Sequence, residues 1–170
     1  MRRIILFTLI FLTSSAVVQA QTFGYVNTEK ILEKIPEYTN AQQQIDILKK
    51  QYEAQIEVEM KNVETLFNQY QSEKSMLSEG QKKVRENEVI TKERSAKELQ
   101  RSYFGQDGAL AEKSKELLNP IKDRVQTAVE KIAHEDGIIL VFDIATSQGI
   151  IYNNPAYDLT AKVLQRLNIR

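Results

Sequence analysis

The chain has 170 residues, 42% of them hydrophobic and 27% charged, with no Cys, no Trp and a single histidine, His134. That length suits one domain, or a small domain with an extended appendage. Absent cysteine excludes disulfide scaffolds, thiol catalysis and cysteine-ligated metal centres, and 23 acidic side chains against 23 basic ones leave no overall field pointing to nucleic acid.

Met1-Arg2-Arg3 opens the chain with positive charge, Ile4 to Leu12 is apolar apart from Thr8, and Val18-Gln19-Ala20 places small residues where a signal peptidase cuts. Basic start, apolar run and small-residue site read as a cleaved secretory signal, residues 1–20, with cleavage after Ala20. The apolar run falls short of the roughly 20 residues a spanning helix needs. The expected location is the periplasm.

Phe23 to Asn27 is a short β-prone run, and Glu29 to Ile35 reads as two helical turns stopped by Pro36. Thr39 with Gln42 forms a candidate capping box for the next helix, with Asn40 as an alternative cap. From Ala41 to Ser78 there is neither Gly nor Pro, and Ile45, Leu48, Tyr52, Ile56, Val63, Leu66, Phe67 and Tyr70 repeat at helical spacing. A helix of that length is a rod of roughly 57 Å, too long to bury in a compact domain of this size. Ser78-Glu79-Gly80 is the expected reversal signal, with the turn near Gly80, which can take the left-handed conformation that ends a helix.

Helical composition resumes at Gln81, with Val84, Ala96, Leu99, Tyr103 and Phe104. It tightens to steps of seven at Ala111, Leu118, Val125 and Ile132, a coiled-coil-like seam. Two long helices and a tight reversal make an antiparallel hairpin. Gly105, Asp107, Gly108 and Pro120 interrupt the return; they read as a hinge and a kink in one helix, with a true loop over Gly105–Gly108 as the alternative. Ile138 to Ile144 reads as a strand, Gln148-Gly149 as a turn and Gly149 to Asn153 as its hairpin partner, after which Asp158 caps a last helix.

The fold class expected is therefore α+β, mostly α. Residues 21–40 and 119–170 form a small β-containing body, and residues 41–118 form a protruding helical arm. Three short strands bury too little to stabilise a separate domain, so a core shared between copies is expected from Phe23, Tyr25, Ile139, Val141, Phe142 and Ile151. Leu66, Phe67, Tyr70, Met76, Leu77, Tyr103 and Phe104 are the arm side chains offered for adaptable apolar contact with a partner, set against their use in zipping the hairpin. His134 reads as a solvated helix-end histidine; Asp136, Asp143 and Asp158 are candidates for an acid pair, yet caps and turns explain two of them better. No phosphate-binding loop, dinucleotide fingerprint or nucleophile elbow occurs, so neither catalysis, a cofactor nor a metal is expected.

Gly24-Tyr25-Val26-Asn27, Glu29-Lys30-Ile31-Leu32 and Pro36-Glu37 at the start resemble the Skp (OmpH) family of periplasmic chaperones. So do Leu117-Leu118-Asn119-Pro120-Ile121 in the return arm, Leu140-Val141-Phe142-Asp143, and the run from Asp158 to Leu167. Order and spacing agree over almost the whole chain after the signal. The resemblance implies a trimer whose bodies form a β-barrel-like hub. Its helical arms would hold unfolded outer-membrane proteins soluble without ATP. Well-known members are strongly basic, whereas residues 73–101 here carry eight basic and six acidic side chains, which lends no support to contact with a membrane surface. The competing reading is a structural or adaptor coiled-coil protein of the cell envelope that binds one folded partner.

Overall fold

A computed structural model describes residues 22–169; the signal segment and its cleavage site lie outside the described residues. The elements run β1 (Thr22–Val26), α1 (Thr28–Glu33), α2 (Pro36–Glu73), α3 (Glu79–Phe104), α4 (Ala109–Glu135), β2 (Ile138–Asp143), a 3-10 turn (Pro155–Tyr157) and α5 (Thr160–Arg166). The fold is α+β and mostly α.

The start of the long helix differs from the sequence expectation. α2 begins at Pro36, not at a Thr39 box, and Ile35 precedes it with no side-chain cap. Proline fits that first position because its φ is already helical and the N–H it lacks would have had no partner there. Ile35 is fully buried and anchors the junction.

The reversal also sits earlier than Gly80. α2 ends at Glu73, residues 74–78 turn, and Ser78 caps α3 in a reciprocal box with Gln81. The Gln81 side chain accepts from the Ser78 N–H at 2.9 Å, and the Ser78 hydroxyl accepts from the Gln81 N–H at 3.4 Å. Gly80 therefore lies inside the first turn of α3 with no left-handed role.

The return is two helices, not one hinged helix. α3 stops at Phe104 and α4 starts at Ala109. A Cβ on Gly105 would lie 2.5 Å from the Arg101 carbonyl oxygen, and one on Gly108 would lie 2.7 Å from that of Tyr103. The backbone folds so closely on itself here that only glycine fits. α4 continues through Pro120.

β1 and β2 form a two-stranded parallel sheet, with Gly24 opposite Val141 and Tyr25 opposite Phe142. Parallel neighbours need a crossover, and here the arm itself is part of that crossover. The expected third strand over 149–153 is absent. This segment runs beside β1, where Ile150 and Tyr152 line a groove with Phe23 and Tyr25, and forms no ladder; β2's partner is β1, from the far end of the chain. A residue-by-residue pattern carries no information about which β-prone segment wins that pairing.

The core lies under the sheet and the lower arm. Val26, Ile31, Ile35, Ala41, Ile121, Val125, Ala128, Ile132, Leu159 and Val163 form one buried cluster. Full burial of a side chain such as Ile31, Ile35 or Val163 contributes about 1.5–3 kcal/mol each. α5 is held down by more than packing. The N-cap of α5 is Leu159, without a side-chain cap, and not the expected Asp158. The Asp158 carboxylate accepts the Thr160 N–H at 2.8 Å from one residue further back, and the Thr160 hydroxyl accepts the Asn27 N–H at 3.0 Å.

Candidate functional site

The arm's two helices close along a seam whose tightest points are Ala96 and Tyr70. Tyr70 is 5% exposed and its hydroxyl donates to the Glu86 carboxylate. That bond, followed by burial, pushes the Tyr70 phenol up to about 12. Lys74 lies 5.5 Å over the same ring, a cation–π contact at the turn. Lower down, Tyr103 stacks on Tyr52 with centroids 3.9 Å apart and 7° between the planes. The Tyr103 hydroxyl donates to Gln55 Oε1 at 2.6 Å, and Phe104 meets Tyr52 edge-on at 6.3 Å. This aromatic clamp closes the arm just above the Gly105–Gly108 break.

The seven arm candidates therefore divide. Tyr70 and Tyr103 already have their rings and hydroxyls engaged inside the hairpin. Leu66 and Leu77 are half-buried along it. Phe67, Met76 and Phe104 are exposed, Met76 most of all at 79% because it sits in the 74–78 turn. Tyr52, the ring that organises the clamp, was visible in the sequence only as one member of an apolar stripe.

The body candidates divide in the same way. Tyr25 is buried within the single chain and Val141 is half-buried against its core. Phe23, Ile139 and Phe142 are exposed, and Ile151 touches nothing that shields it. Phe23, Tyr25, Phe142, Ile150, Tyr152 and Tyr157 line an open groove of about 580 Å³.

Asp143, one of the three aspartates weighed from sequence as an acid pair, is the best-satisfied carboxylate of the body. It accepts the Thr28 hydroxyl at 2.6 Å, the Thr28 N–H at 3.2 Å, the Ala145 N–H at 3.1 Å and the Thr146 hydroxyl at 3.0 Å. Burial pushes its carboxyl up, but these bonds outweigh burial and hold it below the usual carboxylate range. A carboxylate has about four acceptor sites, so Asp143 is committed to tying β2 to α1. Asp136 pairs with Lys162 at 2.6 Å, and Glu135 with Arg166, joining the end of α4 to α5. Among the described residues no cluster of His, Cys, Asp and Glu is placed to hold a metal, and no helix is long and apolar enough to cross a membrane.

These features have relatives. No curated protein matches the chain. A crystal structure of an OmpH-like protein from Caulobacter crescentus CB15, described as a candidate outer membrane chaperone, superposes with a TM-score of 0.64. It shares 10% sequence identity, over 88% of this chain and 85% of that one. The family model described as outer membrane protein (OmpH-like) matches residues 22–167, nearly all that the structure describes, and the chain belongs to that family.

Proposed function

We propose that this chain is an exported, ATP-independent holding chaperone of the periplasm. It binds unfolded outer-membrane proteins between helical arms and keeps them from aggregating. The observation that carries this reading is the pairing of a long two-helix arm, bearing exposed apolar side chains along its length, with a small body that exposes an apolar face of its own. The OmpH-like relationship, and the chaperone description of the Caulobacter protein, support it.

The holding role needs several arms. Phe23, Ile139, Leu140, Phe142, Ile150, Ile151, Tyr152 and Tyr157 are all exposed on the body. Phe23, Phe142, Ile150, Tyr152 and Tyr157 line one groove and Ile139 and Leu140 another, so the body carries two exposed apolar surfaces of the kind that marks interaction sites. On this reading joined bodies bury these surfaces, and three copies is what the family resemblance implies. The arms then surround one client through many weak contacts, whose combined effect comes from effective concentration and not from a single strong site. Release needs no fuel, and the reading assigns no catalytic residue.

The test is dilution of a urea-unfolded outer-membrane barrel protein into buffer containing the signal-free protein, followed by light scattering without nucleotide. Suppressed scattering at about one oligomer per client is expected. Scattering equal to that of the client alone rejects the holding role, and saturable binding of one folded envelope protein would then favour the coiled-coil adaptor.

A further inference from the structure

The two broad sides of the arm differ in charge. At about 100° per residue, Ile47, Gln51, Ala54, Val58, Asn62 and Thr65 of α2 share one exposed face, which Gln44 and Gln69 extend to a length of about 38 Å. None of these residues is charged. Ile47 and Val58 are each 58% exposed.

α3 continues this side with Val84, Thr91, Ser95, Leu99 and Ser102, with Glu88 and Lys92 as its charged members. The two helices meet there in a groove of about 380 Å³ lined by Ala54, Gln55, Val58, Leu99 and, at the seam, Glu59. The opposite side is laced with charge. α2 places Asp46, Lys49, Lys50, Glu53, Glu57 and Glu64 there, with Lys49 paired to Glu53 at 3.8 Å, so the exposed Met60 and Phe67 on this side sit among charges. The α3 hollow on that side is lined by Glu93, Arg94, Lys97, Glu98 and Arg101 around Ile90.

We propose that the uncharged side of the arm is the wall that meets the held client. Its occupant is an extended, uncharged segment of an unfolded membrane β-strand. This rests on the holding role proposed above and assigns it a face.

Charge matching favours that occupant. Membrane strands alternate apolar and polar residues and carry few charges on their lipid face. Pressing such a segment against the charged side would strip water from carboxylates and ammonium groups that gain no partner in return. Against the uncharged side, Ile47, Ala54 and Val58 receive apolar side chains. The amides of Gln51, Asn62 and Gln69 offer both donors and acceptors to a strand backbone whose own groups are unpaired. A second copy's arm fits less well. A helix–helix seam needs an unbroken apolar stripe at heptad positions, and here Gln51, Asn62, Thr65 and Gln69 interrupt it.

Glu57 and Val58 are neighbours in sequence whose side chains leave α2 about 100° apart, Val58 on the uncharged side and Glu57 among the charged residues, so the two positions compare the two sides. Full-length processed chains carrying Val58→p-benzoyl-Phe or Glu57→p-benzoyl-Phe are irradiated with and without a urea-unfolded outer-membrane barrel protein, and scattering is followed in parallel. The expected result is roughly tenfold more client adduct from position 58 than from position 57, a preference of about 1.4 kcal/mol. The charge-neutral double variant Gln51→Lys with Val58→Glu should also need more protein to suppress scattering than Glu57→Gln with Lys50→Gln does.

Suppressed scattering with equal adducts, or with more from position 57, overturns this assignment and leaves the holding role standing. Adducts from position 58 to a second copy in the absence of client show an arm–arm seam and overturn it as well. A wild-type protein that suppresses nothing sinks the holding role and this inference with it.

Discussion

Asp143 accepts two hydrogen bonds from Thr28, which tie the end of β2 to the start of α1, and two more from Ala145 and Thr146 in the adjoining turn, so its charge belongs to the folded state more than to the unfolded one. A carboxyl held below its ordinary value adds stability that is complete above about pH 4, the unfolded value, and is lost as pH falls through the depressed folded one. Thermal melts from about pH 7 to about pH 2 should show this as part of the acid limb. Asp143→Asn keeps one acceptor oxygen and turns an amide N–H₂ toward donors, so it should cost about 1–3 kcal/mol at neutral pH and flatten that limb. A variant melting like wild type at pH 7 would show that the Thr28 tie contributes little. The residue's type and its place after an apolar strand were legible in the chain. Its partner Thr28, at a sequence separation of 115, was not, because a short-range pattern contains no term for contacts made after folding.

At the scale of elements, the apolar repeat located the long helices well, since amphipathic periodicity is a local property of a helix. It misplaced their ends. Pro36 starts a helix where the sequence expectation had it stop one, and Gly80 sits within the first turn of α3 while Ser78 and Gln81 do the capping. Proline and glycine each have two compatible positions near a helix end, and only the neighbouring backbone decides between them. The Gly105–Gly108 break is the clearest case. Gly108→Ala pushes a methyl to 2.7 Å from the Tyr103 carbonyl oxygen and 2.8 Å from the Gly105 nitrogen. It should lower stability by about 1–3 kcal/mol, as overpacking does, and loosen the Tyr52–Tyr103 stack just above. Urea titration followed by tyrosine fluorescence checks both effects; Gly80→Ala, with open space around its added methyl, is the control and should be neutral or slightly stabilising.

At the scale of the whole molecule, the proposed assembly rests on the exposed apolar side chains of the body. The exposed body residues that propose a shared core lie apart from the arm faces that propose client contact, so the two roles are separable by substitution. Ile151→Asp with Phe142→Asp should lower the native mass by breaking association, while leaving the helical signal of the arm intact, because neither side chain is packed in the single chain's core. Mass by light scattering and far-ultraviolet circular dichroism together check this. An unchanged mass would remove Phe142 and Ile151 from the assembly surface.

The chain by itself determined what depends on short stretches of it. These are the long amphipathic helices, the β-prone ends, the absence of cysteine and of nucleotide or nucleophile motifs, and the family to which the ordered motifs point. Such properties arise from side-chain chemistry within a few helical turns or a single strand. Tertiary structure alone decided that β1 pairs in parallel with β2, that residues 149–153 stay outside the sheet, and that Tyr25 and Tyr70 are enclosed while Phe23, Met76 and Ile151 are not. Each of those outcomes is a competition between segments far apart in sequence for one buried surface or one ladder of hydrogen bonds. The winner is set by the packing of the whole chain.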